Sequence, residues 1–158
     1  MKFTAEKNPI RYEINHASED AILEHLRKCS PHFRPPLQQR VDLADYAQKL
    51  ASRSVTMESW ADQQLVGLVA AYLNPDSDPP NAFISNVSVL PEYRSQGIAK
   101  RLLDRCHHEA GRRGIQTIRL EVTAENKPAI ALYMNLGYFI TGENEDNLSM
   151  QLDLGADQ

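Results

Sequence analysis

Between Ala82 and Val122 the spacing of apolar residues changes from two to about three and a half and back to two, and no other stretch restricts the fold as much. Ala82 to Val89 reads as a buried strand. After Gly97 the residues Ile98, Leu102, Leu103, Cys106 and Ala110 fall on one helical face, with Lys100, Arg101, Asp104 and Arg105 opposite. Gly114 is a natural C-terminal stop for that helix. Gln116 to Val122 then alternates, with Ile118, Leu120 and Val122 apolar. Two strands of one sheet joined by a helix-length crossover run parallel, so this unit dictates a parallel pair inside the sheet.

The flanking segments add antiparallel strands around it. Arg11 to Ile14 is a candidate first strand, and Ser18 caps a helix through about Lys28, with Ile22, Leu23 and Leu26 apolar. Pro31, Pro35 and Pro36 force an irregular loop, because each ring removes an amide donor and restricts the residue before it. Helical spacing returns from about Leu37 to Ala51. Val55 to Trp60 and Leu65 to Leu73, joined by a turn at 61–64, read as a hairpin that continues through the turn-rich Asn74 to Pro80 into Ala82 to Val89. Asn126 caps a last helix that Pro128 enters in its first turn and Gly137 closes, and Tyr138 to Thr141 and Leu148 to Leu154 supply two final strands. The order is β-α-α-β-β-β-α-β-α-β-β. It predicts one α/β domain over residues 1–158, with a mixed, mostly antiparallel sheet flanked by helices.

Composition narrows the function by exclusion. A net charge of -4 and a pI near 5.7 are unlike a nucleic-acid-binding domain, which carries a basic face. No apolar run approaches the roughly 18 residues of a membrane span, and Met1 to Ile10 is too polar for a signal-peptide core, so a cytoplasmic location is expected. Cys29 and Cys106 lie far apart in helical patterns without metal-ligand spacing; both read as reduced packing residues, and no metal is expected.

The chemistry-bearing segment is the turn between the Ala82 strand and the Gly97 helix. A helix N-terminus offers unpaired amides and about half a positive charge, so the backbone from Arg94 through Ser95, Gln96, Gly97, Ile98 and Ala99 to Lys100 suits a phosphate or pyrophosphate. Gly97 admits close approach, and Arg94 adds a fixed cation. Neither GxxxxGK[ST] nor GxGxxG occurs after any strand, which argues against nucleoside-triphosphatase and dinucleotide sites. The spacing Arg94-x-x-Gly97-x-Ala99 resembles the [Q/R]-x-x-G-x-[G/A] signature of the GNAT superfamily of acyl-CoA-dependent N-acetyltransferases. Leu120-Glu121-Val122, Asn126, Ala129, Leu132-Tyr133 and Leu136-Gly137-Tyr138 are similar to that family's later pattern at the expected distance.

The resemblance implies that the two parallel strands splay apart and that acetyl-CoA, the acyl donor, enters the gap. Val87, Ser88 and Val89 would lie against its pantetheine arm, with Val87 and Val89 offering backbone bonds; Arg94 to Lys100 would hold its pyrophosphate, and Asn126 would contact the arm. Tyr133 would be the general acid for the departing thiolate, since a phenol with pKa near 10 is protonated at neutral pH. Read without the resemblance, Asn126 is an ordinary N-cap and Tyr133 a core aromatic in line with Ala129 and Leu136.

Direct transfer needs a proton acceptor for the incoming ammonium. Where many relatives carry a carboxylate, this chain has Ser85 and Asn86, which leaves Glu121, Glu58 or a water held by Asn86 and Ser88 as candidates. Trp60 either packs the core or lines an acceptor pocket, and His107 and His108 read as solvent-side helix residues. The implied partners are acetyl-CoA and a small primary amine such as an amino sugar or amino acid, for which Arg34 and Arg40 are candidate phosphate grips. A protein N-terminus or lysine and a non-catalytic CoA-binding module are the alternatives, and a homodimer is compatible with all of them.

Overall fold

The computed structural model describes residues 9–33 and 35–155. Its strands are β1 (Ile10–Ile14), β2 (Val55–Ala61), β3 (Gln64–Asn74), β4 (Asn81–Val89), β5 (Thr117–Thr123), β6 (Phe139–Glu143) and β7 (Asn147–Asp153). Its α-helices are α1 (Glu19–Cys29), α2 (Leu43–Arg53), α3 (Ile98–Arg112) and α4 (Lys127–Asn135). The strands form one sheet in the order β1-β2-β3-β4-β5-β7-β6. Every neighbouring pair is antiparallel except β4 and β5. The expected element order and the mixed sheet are both present.

Local chemistry sets most boundaries. Ser18 caps α1 by accepting the Ala21 amide at 3.1 Å, and Glu19 and Asp20 sit in its first turn where the helix dipole favours anions. The expected single helix from Leu37 to Ala51 is instead a 3-10 turn over Leu37–Gln39 followed by α2. The reason is Asp42, whose carboxylate accepts the Asp45 amide at 3.0 Å and so starts a new helix where apolar spacing alone suggested continuity.

The sheet divides the core in two. On one face α3 and α4 cover Met57, Val69, Ile84, Val89, Ile118 and Leu120; on the other α1 and α2 cover Trp60, Leu65, Leu68 and Ala70. Both cysteines are free and buried, and burial pushes the Cys29 thiol up to about 11 and the Cys106 thiol up to about 12.

Two features of β4 matter for function. First, it pairs with β5 only through Asn81↔Thr117, Ala82↔Ile118 and Phe83↔Arg119, so the parallel strands part from Ile84 onward. Second, its register against β3 jumps, with Ala70 opposite Asn86 and Ala71 opposite Ile84, which leaves Ser85 as the extra residue of a β-bulge.

Candidate active site

The parted end of β4 runs into the turn singled out by its sequence. Leu90 donates its amide to Val66 O at 2.9 Å, which fixes the alternation of the strand. Leu90, Ser88 and Asn86 turn their backbone groups toward β3, and Val87 and Val89 turn theirs toward the side from which β5 has departed. The Val89 carbonyl on that side accepts Nε of Arg94 at 3.1 Å. Arg94 thereby ties the turn to the strand end.

The turn is held open by backbone conformation. A 3-10 turn over Pro91–Tyr93 leads to Ser95 at φ 63° and Gly97 at φ 82°. Gly97 is the N-cap of α3 and supplies no side-chain cap, while the first helical bond is Arg101 N to Gly97 O at 3.1 Å. The amides of Ile98, Ala99 and Lys100 are therefore left to an outside acceptor. An ideal Cβ on Gly97 would meet nothing within 4 Å, so the glycine serves φ and open access rather than packing. The groove beside it is about 450 Å³ and is lined by Gly97, Lys100, Arg101, Asp104, Arg105 and His108. Lys100 pairs with Asp104 at 3.0 Å and Arg101 lies over the Tyr12 ring, so it is the uncapped amides of the first turn that suit an anion such as a phosphate. The Ile98 side chain is buried beneath α3, and Ala99 packs against the same core, so both join the turn through their amides alone.

Asn126 and Tyr133 approach from α4. The Asn126 side chain accepts the Ala129 amide at 3.2 Å and caps the helix. Tyr133 is 6% exposed, and its hydroxyl finds no hydrogen-bond partner among the described residues. Burial pushes it up to about 12, which keeps it protonated through and beyond neutral pH. Its ring packs on Tyr138 with centroids 5.6 Å apart, and the Tyr138 hydroxyl meets His107 Nε2 at 2.8 Å. His107 therefore points inward, against the solvent-side expectation, and desolvation lowers it to about 4; His108 is exposed.

Ser88 stands apart from the other expected cofactor residues. Its backbone turns to β3, and its hydroxyl faces α1, where it lies 2.9 Å from His25 Nε2 and 2.7 Å from Asn86 Oδ1. The bulge puts the consecutive residues Ser85 and Asn86 on this same α1/α2 face. Tyr46 of α2 holds Ser85, with its hydroxyl 3.0 Å from the Ser85 carbonyl and 2.6 Å from Ser85 Oγ. The contacts from His25 and Tyr46 went unseen in the sequence; the one local hint was a histidine inside the apolar stripe of α1.

The two carboxylate candidates separate cleanly. Glu58 is fully buried and accepts four donors: the His16 amide at 3.0 Å, the Ala17 amide at 2.9 Å, the Thr56 hydroxyl and the Trp60 indole N–H at 3.0 Å. A carboxylate so saturated is a structural clasp between the β1–α1 connection and β2, and Trp60 is part of the α1/α2 core beside it. Glu121 is exposed on β5, on the sheet face opposite the buried Leu120 and Val122. That is the face of Asn86, across the opening. Arg34 lies outside the described residues. Among the described residues no cluster of His, Cys, Asp and Glu could hold a metal, and no helix is long and apolar enough to cross a membrane.

Known proteins resemble this chain in sequence and in fold. The chain is 39% identical over 72 residues to the [ribosomal protein bS18]-alanine N-acetyltransferase of Escherichia coli K12, a match covering 46% of this chain and 49% of that protein. It is 33% identical over 73 residues to the mouse thialysine N-epsilon-acetyltransferase, covering 46% and 43%. The chain thus spans about half the length of the curated relatives it matches. Over the whole fold it superposes on the crystal structure of the Escherichia coli ribosomal-protein-S18-alanine N-acetyltransferase with a TM-score of 0.73 at 22% identity, covering 94% of this chain and 99% of that one. The PaiA N-acetyltransferase of Thermoplasma acidophilum, solved in complex with coenzyme A, superposes with a TM-score of 0.70 at 17% identity, covering 90% and 99%. Residues 19–138 match the acetyltransferase (GNAT) family, and with the splayed β4–β5 pair and the uncapped α3 turn in place, the chain belongs to that family.

Proposed function

We propose that this protein is an acetyl-CoA-dependent N-acetyltransferase that moves an acetyl group to a small primary amine by direct transfer. The observation that carries the reading is the opening of β4 from β5 directly beside the uncapped N-terminus of α3. The backbone groups of Val87 and the amide of Val89 offer a strand-like partner to the amide-bearing pantetheine arm, and the α3 turn from Arg94 to Lys100 takes the pyrophosphate. Asn126 stands at the head of α4 to meet the arm. The thioester then rests between the β4 bulge and Tyr133.

The chemistry follows from the same groups. A neutral amine attacks the thioester carbon, and the carbonyl oxygen gains negative charge that a backbone amide near the Ser85 bulge offsets. The C–S bond then breaks, Tyr133 gives its proton to the departing thiolate, and the proton shed by the attacking nitrogen as the amide forms restores the phenol. Glu121 is the proton acceptor for the ammonium form of the substrate, because Glu58 is fully buried and held by four donors while Glu121 stands exposed on the acceptor face. The transferase works in the cytoplasm, where acetyl-CoA is made and used.

A second acceptor reading is a peptide α-amine. It is favoured by the identity to the [ribosomal protein bS18]-alanine N-acetyltransferase, named for an alanine amine of a protein. One experiment separates the readings: thiol release from acetyl-CoA measured with glucosamine, free amino acids, spermidine, an alanine-initiated hexapeptide and an internal-lysine peptide. Turnover with glucosamine or an amino acid supports the small-amine reading, and turnover with the alanine peptide alone replaces it with the second. Binding of acetyl-CoA without release to any amine would make the chain a CoA-binding module.

A further inference from the structure

The α1/α2 face of β4 carries a chain of polar side chains that the transfer reaction as described leaves unused. It begins at the Leu65 carbonyl, which lies 2.9 Å from His25 Nδ1, passes from His25 Nε2 to Ser88 Oγ at 2.9 Å, and reaches the Asn86 carboxamide at 2.7 Å. His25 is 1% exposed, Asn86 4% and Ser88 7%, so water cannot substitute for a missing partner without cost. Asn86 sits next to the bulge, shares its carboxamide between Ser88 and Tyr46 of α2, and lies on the face of Glu121, the side from which the amine of the proposed reaction comes.

Counting protons fixes the direction of this chain. A backbone carbonyl only accepts, so Nδ1 of His25 carries the hydrogen. Desolvation lowers His25 to about 4, so at neutral pH the ring is uncharged and its Nε2 is a lone pair. Ser88 has one proton for three neighbours, His25, Asn86 and Cys29, and the Cys29 thiol brings a proton of its own. Cys29 Sγ, 3.6 Å from Nε2, is a weak donor at long range, so satisfying the buried Nε2 requires the Ser88 hydroxyl. Ser88 Oγ is then an acceptor toward Asn86. The carboxamide meets it through NH2, a half-turn about the last side-chain torsion that exchanges its two near-identical ends.

We propose that His25 is a positioning residue for acetyl transfer: acting through Ser88, it turns the Asn86 carboxamide so that its oxygen, rather than its NH2, meets the N–H of the incoming amine. The assignment rests on the transferase reading above. His25 itself is not the base, since moving a proton from an ammonium of pKa about 8–10 to a ring near 4 is uphill by a factor of about 10⁴ or more. Its service is orientation. A wrongly turned Asn86 would present NH2 to an N–H donor, and two donors repel.

The test uses the full chain with acetyl-CoA and two acceptors, glucosamine and an alanine-initiated hexapeptide. His25→Leu and Ser88→Ala are each expected to raise the KM of the acetylated amine about tenfold, roughly the worth of one hydrogen bond, while the KM of acetyl-CoA stays within about twofold. Gln keeps a donor and an acceptor at the spacing of the two ring nitrogens, so His25→Gln should recover most of the loss. Ser88→Ala added to Asn86→Ala should cost no more than Asn86→Ala alone. Ser88→Ala removes one oxygen and keeps the test open where His25→Leu fails to fold. An unchanged amine KM in Ser88→Ala, or His25→Gln as impaired as a folded His25→Leu, overturns the proposal. ¹⁵N NMR of the imidazole decides independently of turnover: an Nδ1–H tautomer is expected, and an Nε2–H tautomer overturns the proposal. A wild type that acetylates neither compound, nor any amine of the wider panel, sinks the transferase reading instead.

Discussion

The two sides of the β4 opening are built from different materials. The α3 side is made of backbone: parted strand edges, a left-handed Gly97 and three uncapped amides, with Arg94 as tie. The α1/α2 side is made of side chains that reach across the sequence, with His25 meeting Ser88 over 63 positions and Tyr46 meeting Ser85 over 39. A backbone site suits a constant group, such as the pyrophosphate proposed for it, and tolerates substitution around it. A side-chain site can be retuned one residue at a time, which suits the half that must choose an acceptor.

Placing a side chain at Gly97 should give the largest loss of binding. Gly97→Trp should cut acetyl-CoA affinity by about two orders of magnitude, roughly 2.7 kcal/mol, in titration calorimetry. Gly97→Ala is the sharper comparison. Its Cβ has free space, so only the cost of φ 82°, about 1–2 kcal/mol of stability, should appear, with affinity changed far less than in the tryptophan variant. Equal losses of affinity in both variants would mean that backbone shape, not access to the amides, is what acetyl-CoA reads.

Removing one oxygen from Tyr133 tests chemistry instead of binding. Tyr133→Phe should lower kcat about a hundredfold and leave the Kd for acetyl-CoA within about twofold. Because burial raises Tyr133 to about 12, the wild-type kcat should show no alkaline fall from this group between pH 8 and 10.5. The acid is active while protonated, and a raised pKa extends that range upward. A fall centred near 10 that vanishes in the phenylalanine variant would show the hydroxyl to be solvated.

The two carboxylates divide along the same line. Glu121→Gln should lower kcat/KM at neutral pH about tenfold or more with the melting temperature little changed. Glu58→Gln should do the reverse. An amide at that position faces four donors with a donor of its own, so a loss of about 1–3 kcal/mol is expected in thermal unfolding. Activity lost by Glu58→Gln at full stability would return the base to β2.

What could be read from the sequence follows the same division. The crossover from Ala82 to Val122 was legible because period and punctuation are local, and so was the Arg94–Ala99 turn. The parallel pair, the α3 start and the α4 cap all lie where the residues put them. The start of α2 at Asp42 was not legible in the Leu37 to Ala51 spacing, because a cap and a solvated helix position share one composition. His107 was misread because helical phase alone does not show that Tyr138, 31 positions on, offers it a hydroxyl. Ser88 was placed by strand proximity to the cofactor, yet alternation sends its side chain to the opposite face, and only α1 packing reveals why a serine is there.

The smallest effect joins the two halves. His25 on the α1 face and His107 on the α3 face are both buried and both lowered from 6.5 to about 4, so each binds a proton more readily unfolded than folded. Above about pH 6.5 both are neutral in either state and cost nothing. As pH falls from 6.5 toward 4 the unfolded chain takes up two protons that the folded chain refuses, and stability declines. Urea midpoints should therefore drop through that window more steeply than the carboxylates alone require. His107→Gln should remove one proton's share of the slope, and so should His25→Gln. If only His107→Gln flattens the curve, His25 is already protonated in the fold and the polarity of the Ser88–Asn86 chain reverses; if both do, the two faces of the sheet share one acid limit.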